Sequence, residues 1–197
     1  MNWLAHLVLS DRGGAFRIGN LLPDLVRGSD LIALPDEMLA GVHQHRLIDA
    51  YADAHPVVTR SARRFDPPLR RFGKVFADLF YDHFLTTHWD SYCQMALPQF
   101  LDDFFRSVEP WRKTLPPLAT ERLDQIRDHG WMSQYGNVNE LAQVLDRMGR
   151  RLRRPVDLCP AMAVLETHYH EFQSDFLEFF PDIRREIAPS VIFPLRS

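Results

Sequence analysis

Apolar residues recur at helical spacing along most of the chain, and no segment sustains the alternation of a half-buried strand. Proline and glycine residues divide this pattern, because the residue before a proline disfavours the helical conformation. We therefore predict an all-α fold, a helical bundle that forms a single domain over residues 1–197. The predicted helices span 2–10, about 36–54, 57–65, 69–96, 98–112, 117–129, 139–152 and 158–179, with a loop containing one helical turn over 17–28 and one more turn after Pro181.

The predicted helix over 36–54 carries polar residues inside an otherwise apolar face. His45 and Asp49 are four residues apart, so their side chains meet on that face. Asp53 lies one turn further on, at the edge of the face. It either joins the group or pairs with an arginine such as Arg46 or Arg60. This helix is therefore a candidate source of metal ligands.

Between Phe72 and Trp89 the apolar residues surround the helix axis, which is typical of a central, buried helix. This helix nevertheless contains Asp78 and Asp82, one turn apart, and the only cation near them in the same helix is Lys74. Burial of an unpaired carboxylate costs at least several kcal/mol, so these groups need a cationic partner. A divalent metal ion meets that need.

The predicted metal ligands are drawn from both helices and from two further positions near the N-terminus: His6, Asp24, His45, Asp49, Asp78 and Asp82. A mixed nitrogen and oxygen site suits manganese, iron or zinc, whereas magnesium prefers oxygen ligands alone. Each residue also has a structural alternative. A histidine on an apolar face can simply be hydrogen-bonded in the core, and Asp24, which follows Pro23, can cap a helix.

The net charge of −3 conceals two basic runs, residues 60–74 and 147–154, each with a local charge of +5. A mildly acidic protein with two basic patches is suited to docking one anionic surface, and it does not resemble a general nucleic-acid binder.

With two cysteines, no signal sequence and no apolar stretch of about 18 residues, we expect a cytoplasmic protein without a membrane span. Gly-rich phosphate loops and a G-x-S-x-G nucleophile motif are also absent.

Four ordered segments resemble the acyl carrier protein phosphodiesterase family: MNWLAHLVLS, RIGNLLPDLVRG, HQHRLIDAYADAHPVVTRSARRF and RRFGKVFADLFYDHFLTTHW. The resemblance is strongest over residues 1 to about 92 and continues more weakly to FLEFFPDI at 176–183. The family is similar to HD-domain phosphohydrolases, which are helical enzymes that bind a divalent metal through His and Asp. The resemblance thus implies an HD-domain-like bundle, although this chain has the reversed pair Asp82-His83 in place of a His-Asp doublet.

The implied reaction is hydrolysis of the phosphodiester that joins 4′-phosphopantetheine to a serine of holo-acyl carrier protein, with manganese as the expected cofactor and magnesium, iron or zinc as alternatives. His83 or His88 would protonate the leaving serine oxygen, or would orient metal ligands. The partner that the resemblance implies is the acyl carrier protein, a small acidic protein whose phosphopantetheine arm leaves from the start of an acidic helix. The first basic run supplies the expected docking residues, Arg60, Arg63, Arg64, Arg70 and Arg71; the second option is Arg150, Arg151, Arg153 and Arg154.

Two other classes of function stay open at this point. One is a metal-dependent phosphohydrolase that acts on a nucleotide or another small phosphate ester. The other is a non-enzymatic protein that binds a carrier protein or a nucleic acid through Arg147–Arg154, with structural acids in its core.

Overall fold

The computed structural model describes residues 1–10 and 12–187, which form helices and turns without a strand. The all-α prediction is therefore confirmed for these residues. Asp11 and residues 188–197 belong to the predicted domain but lie outside the described residues. The α-helices are α1 (Trp3–Val8), α2 (Gly14–Leu25), α3 (Asp36–Ala54), α4 (Pro56–Ala62), α5 (Gly73–Thr87), α6 (Leu97–Val108), α7 (Pro117–Asp128), α8 (Val138–Arg151), α9 (Ala161–Thr167) and α10 (Tyr169–Ile187).

The α2 segment corrects the predicted loop over 17–28. It is a regular helix of 12 residues that continues through Pro23 to Leu25. A proline inside a helix removes one backbone hydrogen bond. Here the helix also buries an apolar face that includes Ile18, Leu21 and Leu22. Because burial of several large aliphatic side chains outweighs one lost hydrogen bond, tertiary packing overrides the local signal of the proline.

The C-terminal helices correct a second prediction. The expected single helix over 158–179 is interrupted at His168, which separates α9 from α10. In addition, α10 continues through Pro181 to Ile187 instead of ending near residue 179. The extension buries Phe180 and Ile183 completely, and this burial stabilises the helix beyond the proline.

Helix α5 is buried, as its all-round apolar pattern predicts. Its aromatic side chains pack against α10, where Phe80 meets Phe172 edge to face with centroids 5.3 Å apart, and Tyr81 lies 5.4 Å from Phe179. The residues of α5 that do not face α10 include Asp78 and Asp82, which point towards the N-terminus and α1. The core thus holds α5 between the aromatic helix α10 and the N-terminal segment.

Helices α2 and α3 approach each other closely through glycines. A Cβ atom on Gly19 would lie 2.1 Å from the carbonyl oxygen of Met38, and one on Gly41 would lie 2.1 Å from the carbonyl oxygen of Phe16. Only glycine permits such backbone contact. The contact sets α2 beside the part of α3 that carries His45. None of the described helices combines the length and apolar character that crossing a bilayer requires.

Candidate metal centre and the adjoining cleft

Three side chains from two helices converge on one point. One carboxylate oxygen of Asp49, on α3, lies 3.3 Å from Nε2 of His6, on α1. The other oxygen lies 3.0 Å from Nε2 of His45, also on α3. One ligand atom from each of the three residues lies within 4.8 Å of the others. His6 and His45 are buried, whereas the Asp49 side chain is 41% exposed. The cluster therefore has a buried nitrogen side and an open carboxylate side.

Asn20 of α2 sets the orientation of both imidazole rings. Its side-chain oxygen lies 3.0 Å from Nδ1 of His6, and its backbone oxygen lies 2.8 Å from Nδ1 of His45. Its amide nitrogen lies among oxygen acceptors, including the carbonyl oxygen of His6 at 3.1 Å, which fixes the orientation of the amide. Since both acceptors are oxygens, each Nδ1 donates a proton, and each neutral ring presents the Nε2 lone pair to Asp49.

Two lone pairs that face one carboxylate form an arrangement that a cation between them would stabilise. Nε2 of His6 is fully buried and has no hydrogen-bond partner within the described part of the chain. Burial lowers the pKa of His6, so that this ring resists protonation. Burial alone raises the pKa of Asp49, but the neighbouring imidazoles of His45 and His6 hold it well below its usual range. An orphaned imidazole nitrogen beside an ionised carboxylate fits a divalent metal.

Further carboxylates surround this cluster. Asp24, at the end of α2, lies 3.8 Å from Nε2 of His45. The amino group of Met1 lies 2.9 Å from Asp49 and 3.3 Å from Asp78. Burial alone lowers the pKa of this amino group, but the charges of Asp78 and Asp49 raise it to about 10. The cluster thus attracts positive charge strongly enough to outweigh the cost of burying it.

A cleft of about 290 Å³ opens beside the cluster and is lined by Asp24 and Asp78 at one side. Arg147 and Arg151 of α8 line it as well, and both guanidinium groups lie over the ring of Trp131, at 5.2 and 5.0 Å from its centroid. The cleft therefore places carboxylates that can face a metal and guanidinium groups that can face an anion around one space.

The sequence matches the family model described as "Acyl carrier protein phosphodiesterase" over residues 1–183. The chain belongs to this family. Relatives with that same name include proteins from Yersinia pestis, 31% identical over 94% of this chain and 97% of the relative, and from Enterobacter sp. (strain 638), 32% identical over 92% and 94%. A relative from Escherichia coli O6:H1 is 31% identical over 95% and 98% of the two chains. No solved structure gives a significant match, and the HD-domain-like arrangement stays a prediction.

In this member of the acyl carrier protein phosphodiesterase family, Asp82 lies apart from the three converging side chains. Its two carboxylate oxygens accept hydrogen bonds from the backbone N–H groups of Leu4 and Ala5, both at 2.9 Å. These are free N–H groups of the first turn of α1, which has no cap from its own Asn2 side chain. Burial raises the pKa of Asp82 to about 7, although the two backbone donors act in the opposite direction. Asp82 anchors the helix that carries His6.

The two histidines predicted as general acids lie against other parts of the core. Nδ1 of His83 donates to the carbonyl oxygen of Tyr135 at 2.8 Å, and its Nε2 lies 2.9 Å from the hydroxyl of Tyr169. Nε2 of His88 lies 2.9 Å from the amide nitrogen of Gln173 on α10. Burial also lowers the pKa of His83. The structure therefore does not bring His83 and His88 to the cluster around Asp49.

The predicted docking arginines have other partners in several cases. Arg60 and Arg64 both bind the carboxylate of Asp175, which is 3% exposed, and Arg60 also binds Glu178. Arg70 pairs with Asp66 at 3.2 Å. Of the other two predicted residues, Arg63 is exposed, and Arg71 lies over Phe72 at the edge of a different cleft. Two members of the first basic run, Arg60 and Arg64, therefore bind α10 instead of facing a partner.

Sequence reasoning missed Asn20, Trp131 and the position of Arg147. The motif RIGN contains Asn20 beside the glycine that packs on α3, but a lone asparagine carries no periodic signal. Arg147 was noted only as part of a charge run. Which side of α8 faces the cleft depends on how that helix packs against residues more than 100 positions away.

Proposed function

We propose that this protein hydrolyses the phosphodiester between 4′-phosphopantetheine and the serine of holo-acyl carrier protein, releasing apo-acyl carrier protein and 4′-phosphopantetheine. The supporting observation is the convergence of His6, His45 and Asp49, with both Nε2 lone pairs directed at one ionised carboxylate. The family's name supplies the substrate class. The arrangement supports a metal-dependent hydrolase over a purely structural acid cluster.

A divalent ion, most simply Mn²⁺ with Mg²⁺, Fe²⁺ or Zn²⁺ as alternatives, would be held by His6, His45 and Asp49, with Asp24 and Asp78 nearby. When bound, such an ion lowers the pKa of water towards neutrality and offsets charge on phosphate oxygens. Asn20 holds both imidazoles in the tautomer that can donate a lone pair. Donors oriented in this way through a second hydrogen bond bind metal more tightly.

The chain's own residues would position the phosphodiester at the mouth of the cleft. Arg147 is half-buried, donates to the side-chain oxygen of Gln134 at 2.7 Å and lies over Trp131, so its guanidinium is held in place before substrate arrives. A guanidinium matches the geometry of phosphate oxygens. Trp3 and Trp131, with ring centroids 6.3 Å apart, form an apolar wall of the same cleft against which the pantetheine arm can lie.

The experiment that tests this function is incubation of the protein with holo-acyl carrier protein and Mn²⁺, followed by mass spectrometry of the carrier. We expect loss of the phosphopantetheine mass, and we expect chelation of the metal to prevent it. Asp49→Asn should abolish turnover. The matched control is Asp53→Asn, one turn along the same helix, because Asp53 pairs with Lys74 outside the cluster and should be dispensable. Turnover of nucleotides in place of the holo-carrier would overturn the proposal.

A further inference from the structure

The end of α8 and the start of α5 border two adjacent clefts. The first is the cleft beside the metal cluster, which Val75, Arg147 and Arg151 help to line. The second, of about 430 Å³, is lined by Arg71 and Phe72 on one side and by residues 152–154 and Val156 on the other. Because Arg151 and Leu152 are consecutive and Phe72 lies one turn from Val75, the two clefts are close neighbours. We call residues 71–75 and 147–156 the basic groove.

In the part of the chain that the structure describes, most arginines of the basic groove lack a carboxylate partner; the exception is Arg150, which pairs with Asp146 at 3.0 Å. Within the described ranges, five arginines of the groove form no ion pair with a carboxylate: Arg71, Arg147, Arg151, Arg153 and Arg154. In contrast, Arg60, Arg64 and Arg70 do. Five guanidinium groups without carboxylate partners on one surface repel each other and attract an acidic partner.

The floor of the basic groove is apolar. Val75 and Leu152 are 39% and 36% exposed, and they belong to the small set of large hydrophobic residues that the described surface exposes. Phe72 and Val156 are partly buried beside them. An apolar floor flanked by cations is complementary to an amphipathic helix whose polar face is acidic. A nucleic-acid strand would not require exposed aliphatic side chains at this position.

We propose that the basic groove is the docking surface for the acidic helix of the carrier protein, and that it directs the phosphodiester into the cleft beside Asp49. This inference rests on the proposed function for the identity of the partner. Arg153 and Arg154 contact the carrier at the outer end of the groove. Arg147 and Arg151, at its inner end, lie beside the phosphate because they line the same cleft as Asp24 and Asp78.

The test compares two double variants with the same change in net charge. Arg153→Glu/Arg154→Glu reverses the outer end of the groove without touching the inner cleft. The control, Arg106→Glu/Lys113→Glu, reverses two exposed cations that line neither cleft. Binding of fluorescently labelled apo-acyl carrier protein is measured by anisotropy, and kcat/KM is measured with holo-carrier. Mn²⁺ affinity and the helical circular dichroism signal report whether each variant is intact.

We expect the groove variant to bind the carrier roughly tenfold or more weakly and to lose a similar factor in kcat/KM, with unchanged Mn²⁺ affinity. The wild-type affinity should also fall with added salt, and the variant's salt dependence should be flatter. Unchanged carrier binding in the groove variant, or an equal loss in the control, would overturn the docking surface.

The failure of the proposed function gives a different result. If the wild-type protein binds apo-carrier through the groove but releases no phosphopantetheine from holo-carrier, the reaction assignment is wrong and the docking surface stands. If the wild-type protein does not bind the carrier at all, the docking surface is wrong, whatever reaction the metal cluster performs.

Discussion

The imidazole rings of His6 and His45 stack face to face, with centroids 4.1 Å apart and an interplanar angle of 15°. This stacking places both Nε2 atoms on the same side, towards Asp49. The two rings cannot readily be charged together. Burial and the neighbouring charge of His45 lower the pKa of His6. Burial also lowers the pKa of His45, but the carboxylates of Asp49 and Asp24 raise it overall. The pair therefore fits one shared cation better than two separate protons.

Replacement of Asn20 by alanine should weaken metal binding. The side chain of Asn20 orients His6, and without its oxygen the ring is free to turn its Nε2 away from Asp49. Loss of such an orienting partner costs about 10- to 100-fold in metal affinity. Calorimetric titration with Mn²⁺ measures the effect. The matched control is Ser10→Ala, which removes a hydroxyl that contacts Asn20 without touching either ring; an equal loss of affinity there would contradict this role of Asn20.

Replacement of Gly19 by alanine should separate α2 from α3. The added Cβ would lie 2.1 Å from the carbonyl oxygen of Met38, and a backbone atom cannot move aside as a side chain can. We expect the free energy of unfolding to fall by at least about 1–3 kcal/mol, as in other overpacked cores. Urea unfolding measures it. Gly28→Ala is the control, because its Cβ would meet open space, and a change there should stay within about 0.5 kcal/mol.

The carboxylate of Asp175 should stabilise the fold in a pH-dependent way. Burial alone raises its pKa, but hydrogen bonds from Arg64, Ser61 and Arg60 lower it below its usual value. The carboxyl group of Asp175 therefore binds a proton less tightly in the folded state than in the unfolded state, where its pKa is about 3.9. The stabilisation is present above about pH 4 and is lost as the pH falls through the folded pKa.

Urea unfolding of Asp175→Asn across pH checks this expectation. The variant should be less stable by about 2 kcal/mol at neutral pH, because it leaves two guanidinium groups without a buried partner. The difference should shrink below about pH 4. Glu178→Gln is the matched control: Glu178 binds the same Arg60 but is exposed, so it should cost less than about 1 kcal/mol. A pH-independent difference for Asp175→Asn would contradict the argument.

Asp82 and Asp78, one turn apart on α5, should respond differently to replacement by asparagine. Asp82→Asn weakens the cap on α1, since an amide offers one acceptor oxygen to two N–H groups, and it should lower the free energy of unfolding by about 1–2 kcal/mol. Asp78→Asn should weaken Mn²⁺ binding, because Asp78 adds negative charge beside the cluster. Urea unfolding and metal titration separate the two effects. A loss of bound metal without loss of stability in Asp82→Asn would identify Asp82 as a ligand instead.

Local pattern accounts for part of the candidate site. The one-turn spacing of His45 and Asp49 predicts that their side chains meet, and they lie 3.0 Å apart. The same reasoning required a cation for the buried acids of α5, but Asp82 is satisfied by backbone N–H groups of α1. A backbone donor belongs to every residue type except proline, so its presence at a distant carboxylate leaves no trace in the pattern of side chains.

The sequence by itself determined the all-α class, the bounds of α3, the burial of α5 and the family, because each depends on periodicity or on ordered local motifs. Only the tertiary structure decided that Asn20 orients both histidines and that the second basic run borders the cleft. It also decided that Arg60 and Arg64 bind the buried Asp175. The physical reason is that helical periodicity assigns side chains to a face of one helix. The neighbour of that face is chosen by packing between distant segments, such as the glycine contact of α2 with α3.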